Sequence, residues 1–271
     1  MIKKLLIANR GEIALRIIRA CRELGIKTVA VYSKADELSL HTRFADEAIC
    51  IGPNESAKSY LNIPSILAAA ELTNSDSIHP GYGFLAENSK FSSICKDNNI
   101  RFIGSDENTI NMMGNKSLAK DTMVKNGVPI IPGSDGNVDT LEEAHFLCSK
   151  MGYPVIIKAT SGGGGKGMRL VNEESELQKS FEMAKMEAEA SFSDSNVYIE
   201  KYLKDPRHIE IQIMCDSFGN IIPLGERECS IQRRHQKMLE ESPSTIMTAS
   251  LRRKLYDSSI KACKAVNYLG A

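Results

Sequence analysis

The sequence predicts an α/β fold: a parallel sheet with helices on both faces, then a smaller element built around a glycine turn, then the start of a further region. Three observations carry this. Apolar segments alternate with amphipathic ones over residues 3–125, the order that builds strand–helix–strand units with parallel strands. Gly127, Pro129, Pro132 and Gly133 then crowd together, as at a hinge or domain junction. Beyond them, two β-branched segments flank a glycine run, the pattern of a hairpin.

Taken in order, KKLLIA at residues 3–8 is a strand, broken by Asn9 to Gly11. Ala14, Ile17, Ile18, Cys21 and Leu24 recur at helical spacing, and Gly25 ends that helix. TVAVYS at residues 28–33 is β-branched and aromatic, which makes it a second strand. A helix near residues 63–72, a strand at 77–79, a helix at 87–96, a strand at 101–103 and a helix at 115–125 complete the first region. After the junction come strands at residues 154–159 and 168–171, a helix, and a strand at 197–203. From His208 the run HIEIQIM alternates, with Ile209, Ile211 and Ile213 expected to pack and His208, Glu210 and Gln212 to face a polar ligand. Residues 221–226 are expected to pair with it, residues 227–241 to form a loop, and residues 248–267 a helix carrying Leu251, Leu255, Ala262 and Val266.

Composition narrows the function classes. With 271 residues the chain is long enough for one large domain or two ordinary ones, and it needs no disulfide framework. Lys+Arg 34 balances Asp+Glu 34, which removes the global basic field of a dedicated nucleic-acid binder. No apolar run reaches the length of a membrane helix, and the start turns charged at Arg10 and Glu12, so a cytoplasmic protein is expected, with neither membrane nor nucleic acid as partner. The seven cysteines are scattered without a CxxC pair, which suggests reduced thiols. Cys229, inside the most basic segment, is the one to watch, although an inert buried thiol explains it as well.

Four segments can carry chemistry. In KATSGGGGKGMRL, residues 158–170, glycines let main-chain N–H groups approach phosphate oxygens while Lys158 and Lys166 add charge. A flexible hairpin tip would explain the glycines but not the bracketing lysines. Lys166 is followed by Gly167 and a strand, which excludes a Walker loop. EKYL, residues 200–203, ends a strand where main-chain groups can meet an adenine edge and Glu200 a ribose or amino group; an exposed strand end would look the same. ERECSIQRRHQK, residues 226–237, gathers Arg227, Arg233, Arg234, His235 and Lys237, a set suited to phosphate or bicarbonate, with a solvated charge run as the plainer account. HPGYGFLAEN, residues 79–88, follows a strand where parallel sheets bind ligands, or is only a tight crossover.

Together with ANRGEIALRI near the start and PRHIEIQ, these segments stand in the order and spacing of biotin carboxylase, which the whole chain resembles. The resemblance implies a pre-ATP-grasp domain at residues 1–113, a connecting helix and hinge at 114–130, an ATP-grasp lid at 131–203, and the beginning of the ATP-grasp C-terminal domain at 204–271. It implies that ATP phosphorylates bicarbonate to carboxyphosphate and that the carboxyl group passes to N1 of biotin on a carrier protein, the first half-reaction of acetyl-CoA carboxylase in fatty acid synthesis. Biotin carboxyl carrier protein and a carboxyltransferase are the implied partners, with a homodimer in the full-length form. By the same resemblance, Lys116 and Lys158 contact ATP phosphates, and Gly164 and Gly165 lie in the lid. Glu200, Lys201 and Leu203 hold adenine, His208 and Gln232 the ribose, His235 the phosphates, and Lys237 bicarbonate. Ser161 stands where the family's glycine run continues. The family's Mg2+ ligands and the base for bicarbonate are expected beyond Ala271, so the chain is expected to be an N-terminal truncated form, inactive alone. Two other readings are a carbamoyl-phosphate-synthetase-like ligase, against which QRRHQK and PRHIEIQ argue, and a non-catalytic assembly module using the helix at residues 12–23.

Overall fold

A computed structural model describes residues 2–160, 167–192, 194–233 and 236–271, with the main chain only at residues 116 and 117. The chain divides into two compact units: Met1–Ala119 with Met214–Ile222 and Cys263–Ala271, and Lys120–Ile213 with Pro223–Ala262.

The first unit is built on five strands: β1 (Lys4–Ile7), β2 (Lys27–Ser33), β3 (Glu47–Gly52), β4 (Ser77–His79) and β5 (Arg101–Phe102). They lie in the order β3-β2-β1-β4-β5, and every pairing is parallel. The helices α1 (Gly11–Glu23), α2 (Leu40–Phe44), α3 (Ile63–Leu72) and α4 (Ser89–Asp97) connect them, and α5 (Glu107–Gly114) follows β5. Alternation along β1 explains the layers. Leu5 and Ile7 meet Ala14, Ile17, Ile18 and Cys21 of α1 on one face. Leu6, with Val29, Val31 and Ile78, meets Ile66, Ala69, Phe91 and Cys95 on the other. Side-chain caps fix where helices begin: Asn62 accepts from Ser65 N–H and Asn88 from Phe91 N–H.

Most predicted elements of this unit are present, and the departures have physical reasons. Leu24 follows the last turn of α1 and is exposed, so the buried stripe ends at Cys21. β3 and α2 were not foreseen; β3 is an edge strand with its outward residues exposed, which blurs its apolar pattern.

The second unit begins in α6 (Lys116–Lys125) and contains α7 (Leu141–Met151), β6 (Val155–Ala159), β7 (Met168–Val171), α8 (Leu177–Phe192) and β8 (Val197–Lys201). β6 pairs antiparallel with both β7 and β8, so the predicted hairpin strands are present; Ser161 and Lys166 at its tip lie outside the described residues. The expected hinge at Pro132 and Gly133 is clipped along β8. Lys201 N–H donates to Pro132 O at 2.8 Å, and a Cβ on Gly133 would stand 2.8 Å from Ile199 O.

A further sheet has the order β11-β10-β9, from β9 (Ile209–Cys215), β10 (Ile221–Arg233) and β11 (Gln236–Glu241). Here residues 227–233 and 236–241, both within the segment 227–241 expected as a loop, are instead paired antiparallel strands with register shifts between Glu228 and Gln232. The strand was hidden because its most buried positions include carboxylates. Glu226 accepts from Arg252 of α9 (Ala249–Ala265), and Glu228 from Arg207 and Ser244. Ile209, Ile211 and Ile213 are half-buried and join none of the buried clusters, so the apolar face predicted for β9 packs less tightly than expected. α9 likewise has no fully buried residue; Val266, just past its end, is buried.

At the carboxyl edge of the parallel sheet, buried Asp36 organises the first unit. It accepts from Arg10 through Nε at 2.6 Å and through Nη2, from the Tyr60 hydroxyl at 2.6 Å and from Ser33 Oγ at 3.3 Å. Tyr60 stacks on Phe84 of the HPGYGF turn, with ring centroids 5.0 Å apart. Asn9 Nδ2 donates to Pro80 O and Tyr82 O of the same turn. Gly81 has φ +64°, and a Cβ there would lie 2.7 Å from Asn9 Nδ2, so this turn requires glycine. The Arg10 hydrogen bonds, working against burial and helped by Tyr60, hold the Asp36 carboxyl far below its ordinary range. Burial, then the Asp36 bond, pushes the Tyr60 phenol up to about 12.

Asp36→Asn is therefore expected to lower stability at pH 7 by about 2 kcal/mol, the scale of hydrogen bonds to a charged group. Because the folded carboxyl titrates below its ordinary 3.8, the wild-type advantage is complete above that pH and shrinks as pH falls below it. Urea unfolding of both proteins across pH 3–7 checks this; an undiminished gap at pH 3 contradicts it.

Candidate functional site

Strand alternation builds the site in the second unit. Val155, Ile157 and Ala159 of β6 and Val197 and Ile199 of β8 point into a core with Ala144, Cys148, Leu177, Phe181 and Ala184. The register sets Ile156 opposite Glu200 and Lys158 opposite Tyr198, so these four share the other face. There Lys158 Nζ donates to Glu200 Oε2 at 2.6 Å, and Lys120 Nζ of α6 donates to Glu200 Oε1. Both ammonium groups lie over the Tyr198 ring, Lys120 at 5.3 Å and Lys158 at 6.0 Å from its centroid. Burial alone would raise the Glu200 carboxyl; the Lys120 and Lys158 hydrogen bonds outweigh it, and the group sits below its ordinary value.

Lys201, next along β8, faces the other way. Its Nζ donates to Gly152 O and Tyr153 O, both at 3.0 Å, where α7 ends. The cation thus serves the last carbonyls of a helix. Leu203 lies beyond the strand end and is exposed. At the foot of the glycine hairpin, Gly167 has φ +70° and a Cβ there would fall 2.8 Å from Ala159 Cβ, so only glycine closes this turn without displacement.

A second charged cluster lies on β9, β10 and β11. Glu210 accepts from Lys237 Nζ, from Arg227 Nη2 at 3.0 Å and pairs with His208 Nε2 at 3.1 Å. Arg227 also donates to Gln212 Oε1 at 2.8 Å and pairs with Glu240. Gln232 stands opposite Lys237 in the hairpin register, its amide donating to Cys229 O at 2.9 Å. The Lys237 hydrogen bond above all, against burial and with help from Arg227 and His208, brings the Glu210 carboxyl down to about 2. Cys229 is buried, and burial followed by the Glu210 and Glu240 charges raises its thiol, so it is an inert thiol despite the basic residues around it.

Of the residues singled out by sequence, the structure joins Lys158 with Glu200, and His208 and Gln232 with Lys237. Gly164, Gly165 and His235 lie outside the described residues, as does the side chain of Lys116. Sequence reasoning passed over Lys120 and Tyr198. Tyr198 had a usable signal, since it lies two residues before Glu200 on the same strand; Lys120 had only its place in a helix that also starts with a lysine.

Comparison with known proteins places the chain in a family. Residues 115–271 match the family model described as carbamoyl-phosphate synthase L chain, ATP binding domain, and residues 1–110 match biotin carboxylase, N-terminal domain. The fold is thus that of an ATP-grasp protein preceded by its parallel-sheet domain. The sequence is 57% identical to biotin carboxylase 1 of Bacillus subtilis over 271 residues and 58% identical to biotin carboxylase of Nostoc over 268. These matches cover all or nearly all of this chain and 60% of each of those proteins. A biotin carboxylase complex with beta-gamma-ATP from Campylobacter jejuni superposes with TM-score 0.88 at 52% identity, covering 100% of this chain and 60% of that one. The bicarbonate-bound biotin carboxylase domain of a thermophilic 2-oxoglutarate carboxylase superposes at TM-score 0.93 and 44% identity, covering 99% and 59%. The chain belongs to the biotin carboxylase family and spans about 60% of the length of the curated relatives it matches.

Glu210→Gln is expected to reduce stability at pH 7 by about 1–3 kcal/mol, because it leaves Arg227 and Lys237 without their shared counter-charge. The folded carboxyl titrates near 2 against an ordinary 4.5, so the loss is full above 4.5 and narrows as pH falls toward 2. Chemical denaturation at stepped pH reads this directly, and equal stability of the two proteins at pH 7 contradicts it.

Proposed function

We propose that this chain forms the ATP-holding part of a biotin carboxylase, in which ATP phosphorylates bicarbonate and the carboxyl group of carboxyphosphate passes to N1 of carrier-bound biotin. The observation that carries the reading is the charged face of β6 and β8, where Lys158 is aimed by ionised Glu200 at the mouth of a glycine hairpin. Phosphoryl transfer asks of a protein mainly positioning and neutralisation of charge. In this reading Lys158, Lys116 and His235 neutralise the phosphates, and Gly164 and Gly165 let main-chain N–H groups close over them. Residues 131–203 act as the lid. Glu200, the main chain of Lys201 and Leu203 receive the adenine, and His208 and Gln232 the ribose. Lys237, oriented by Glu210, meets bicarbonate.

Among the described residues no group of three or more His, Cys, Asp or Glu side chains is placed to hold a metal ion; Mg2+ belongs to the reading as the cation that would accompany ATP. Among the same residues, no helix is long and apolar enough to cross a membrane. The parent reaction we assign is the first half-reaction of acetyl-CoA carboxylase in fatty acid synthesis, with biotin carboxyl carrier protein and a carboxyltransferase as partners and a homodimer as the assembly. Its support is that relatives at 50–58% identity carry the name biotin carboxylase, beside a pyruvate carboxylase subunit of Methanothermobacter thermautotrophicus at 53%. Co-purification with a carboxyltransferase that accepts acetyl-CoA, rather than one that accepts pyruvate, checks that assignment.

The nucleotide reading is tested by calorimetric titration of the chain with ATP. Binding is expected, and Lys158→Met is expected to weaken it at least tenfold, about 1.4 kcal/mol. A folded chain that takes up no ATP at millimolar concentration refutes the reading.

A further inference from the structure

We propose that Lys120 is a further polyphosphate-binding cation, paired with Lys158 across the Glu200 carboxylate. The inference rests on the nucleotide reading above and extends it to a residue with no assigned role. Two ammonium groups occupy the two oxygens of one carboxylate, Lys120 on Oε1 and Lys158 on Oε2. Glu200 is 7% exposed and ionised, held so by these two lysines. The trio therefore carries a net charge of +1 on a face it shares with Tyr198, whose ring adds only a weak attraction.

Each ammonium group has three donors and gives one to Glu200, while about a third of the Lys120 side chain and a quarter of the Lys158 side chain remain exposed. Both side chains are thus partly exposed to solvent and within reach of an anion approaching that face. The two cations stand one carboxylate apart, a spacing that neighbouring phosphoryl groups of a polyphosphate can bridge. Glu200 fixes that spacing before the ligand arrives, which removes the ordering of two flexible lysines from the cost of binding. A polyphosphate is thus favoured over a small monovalent anion, because it brings more charge and more acceptor oxygens to the two cations.

The test titrates ATP, inorganic tripolyphosphate and adenosine into the wild-type chain, Lys120→Met and Lys120→Arg. For Lys120→Met, the expected result is a loss of about tenfold in affinity for ATP and tripolyphosphate, less than twofold for adenosine, and recovery of most of the loss in Lys120→Arg. If Lys120 serves only to hold Glu200, ATP and adenosine weaken alike, and the proposal is overturned. Equal ATP and tripolyphosphate affinity in wild type and Lys120→Met overturns it as well, while leaving the nucleotide reading intact. Wild-type chain that binds tripolyphosphate through Lys120 but discriminates against ATP refutes the nucleotide reading and sustains the paired-cation site. Wild-type chain that binds neither ligand refutes both.

Discussion

The two-residue alternation of the β-strand is the constraint from which the rest of this molecule follows. In β1 it sends Leu5 and Ile7 to one helical layer and Leu6 to the other, so the parallel sheet is buried on both faces. In β6 and β8 the same alternation is put to a different use. Val155, Ile157, Val197 and Ile199 anchor one face in a core, which leaves Lys158, Tyr198 and Glu200 grouped on the other. Charged residues are not placed there by loops that must be ordered on binding. They are placed by strands whose opposite face is already packed, which suits a site that needs fixed geometry.

The charged groups share a device, a buried or half-buried carboxylate held ionised by more than one donor. Asp36, Glu200, Glu210, Glu226 and Glu228 all follow it, with Arg10, Lys120 with Lys158, Lys237 with Arg227, Arg252, and Arg207 as their cationic partners. Burial opposes ionisation at each, and direct hydrogen bonds outweigh it. The consequence for the fold is orientation more than net stability, since burying a paired charge gains little over an apolar residue but leaves its partner one low-energy position. Asp36 thereby ties three separated segments of the first unit together: the turn after β1, the end of β2, and Tyr60 with the HPGYGF turn stacked on it.

Where the sequence was legible, the signal was an uninterrupted apolar period. α3 spans Ile63–Leu72 as its spacing predicts, and β4, β6 and β7 fall within a residue of expectation. The largest miss has a tertiary cause. β10 continues through Arg227, Glu228 and Cys229 because Arg252, Arg207 and Ser244 satisfy its buried carboxylates, and no hydropathy pattern can register partners that lie 16 to 26 residues away. In the site, Lys158 and Glu200 were legible from their motifs. Lys120 was not, because its role comes from a tertiary contact across 80 residues of chain. Lys201 divides its groups: strand parity turns its ammonium to the end of α7, which leaves its main chain for the ligand contact that its motif suggested.

The distribution of thiols has a practical corollary for watching this molecule work. All seven cysteines are free, and of these Cys50 alone is exposed; five are buried, and Cys263 is intermediate. Burial raises the thiols of Cys95 and Cys148 to about 12 and about 11, which leaves them largely protonated and slow toward alkylating reagents at neutral pH. Cys50 sits on edge strand β3 of the parallel sheet, in the unit that does not contain Lys158 or Glu200. The native chain thus carries its own attachment point for a thiol-reactive fluorophore, outside the unit that holds the charged face, and needs no engineered cysteine to report on what that face binds.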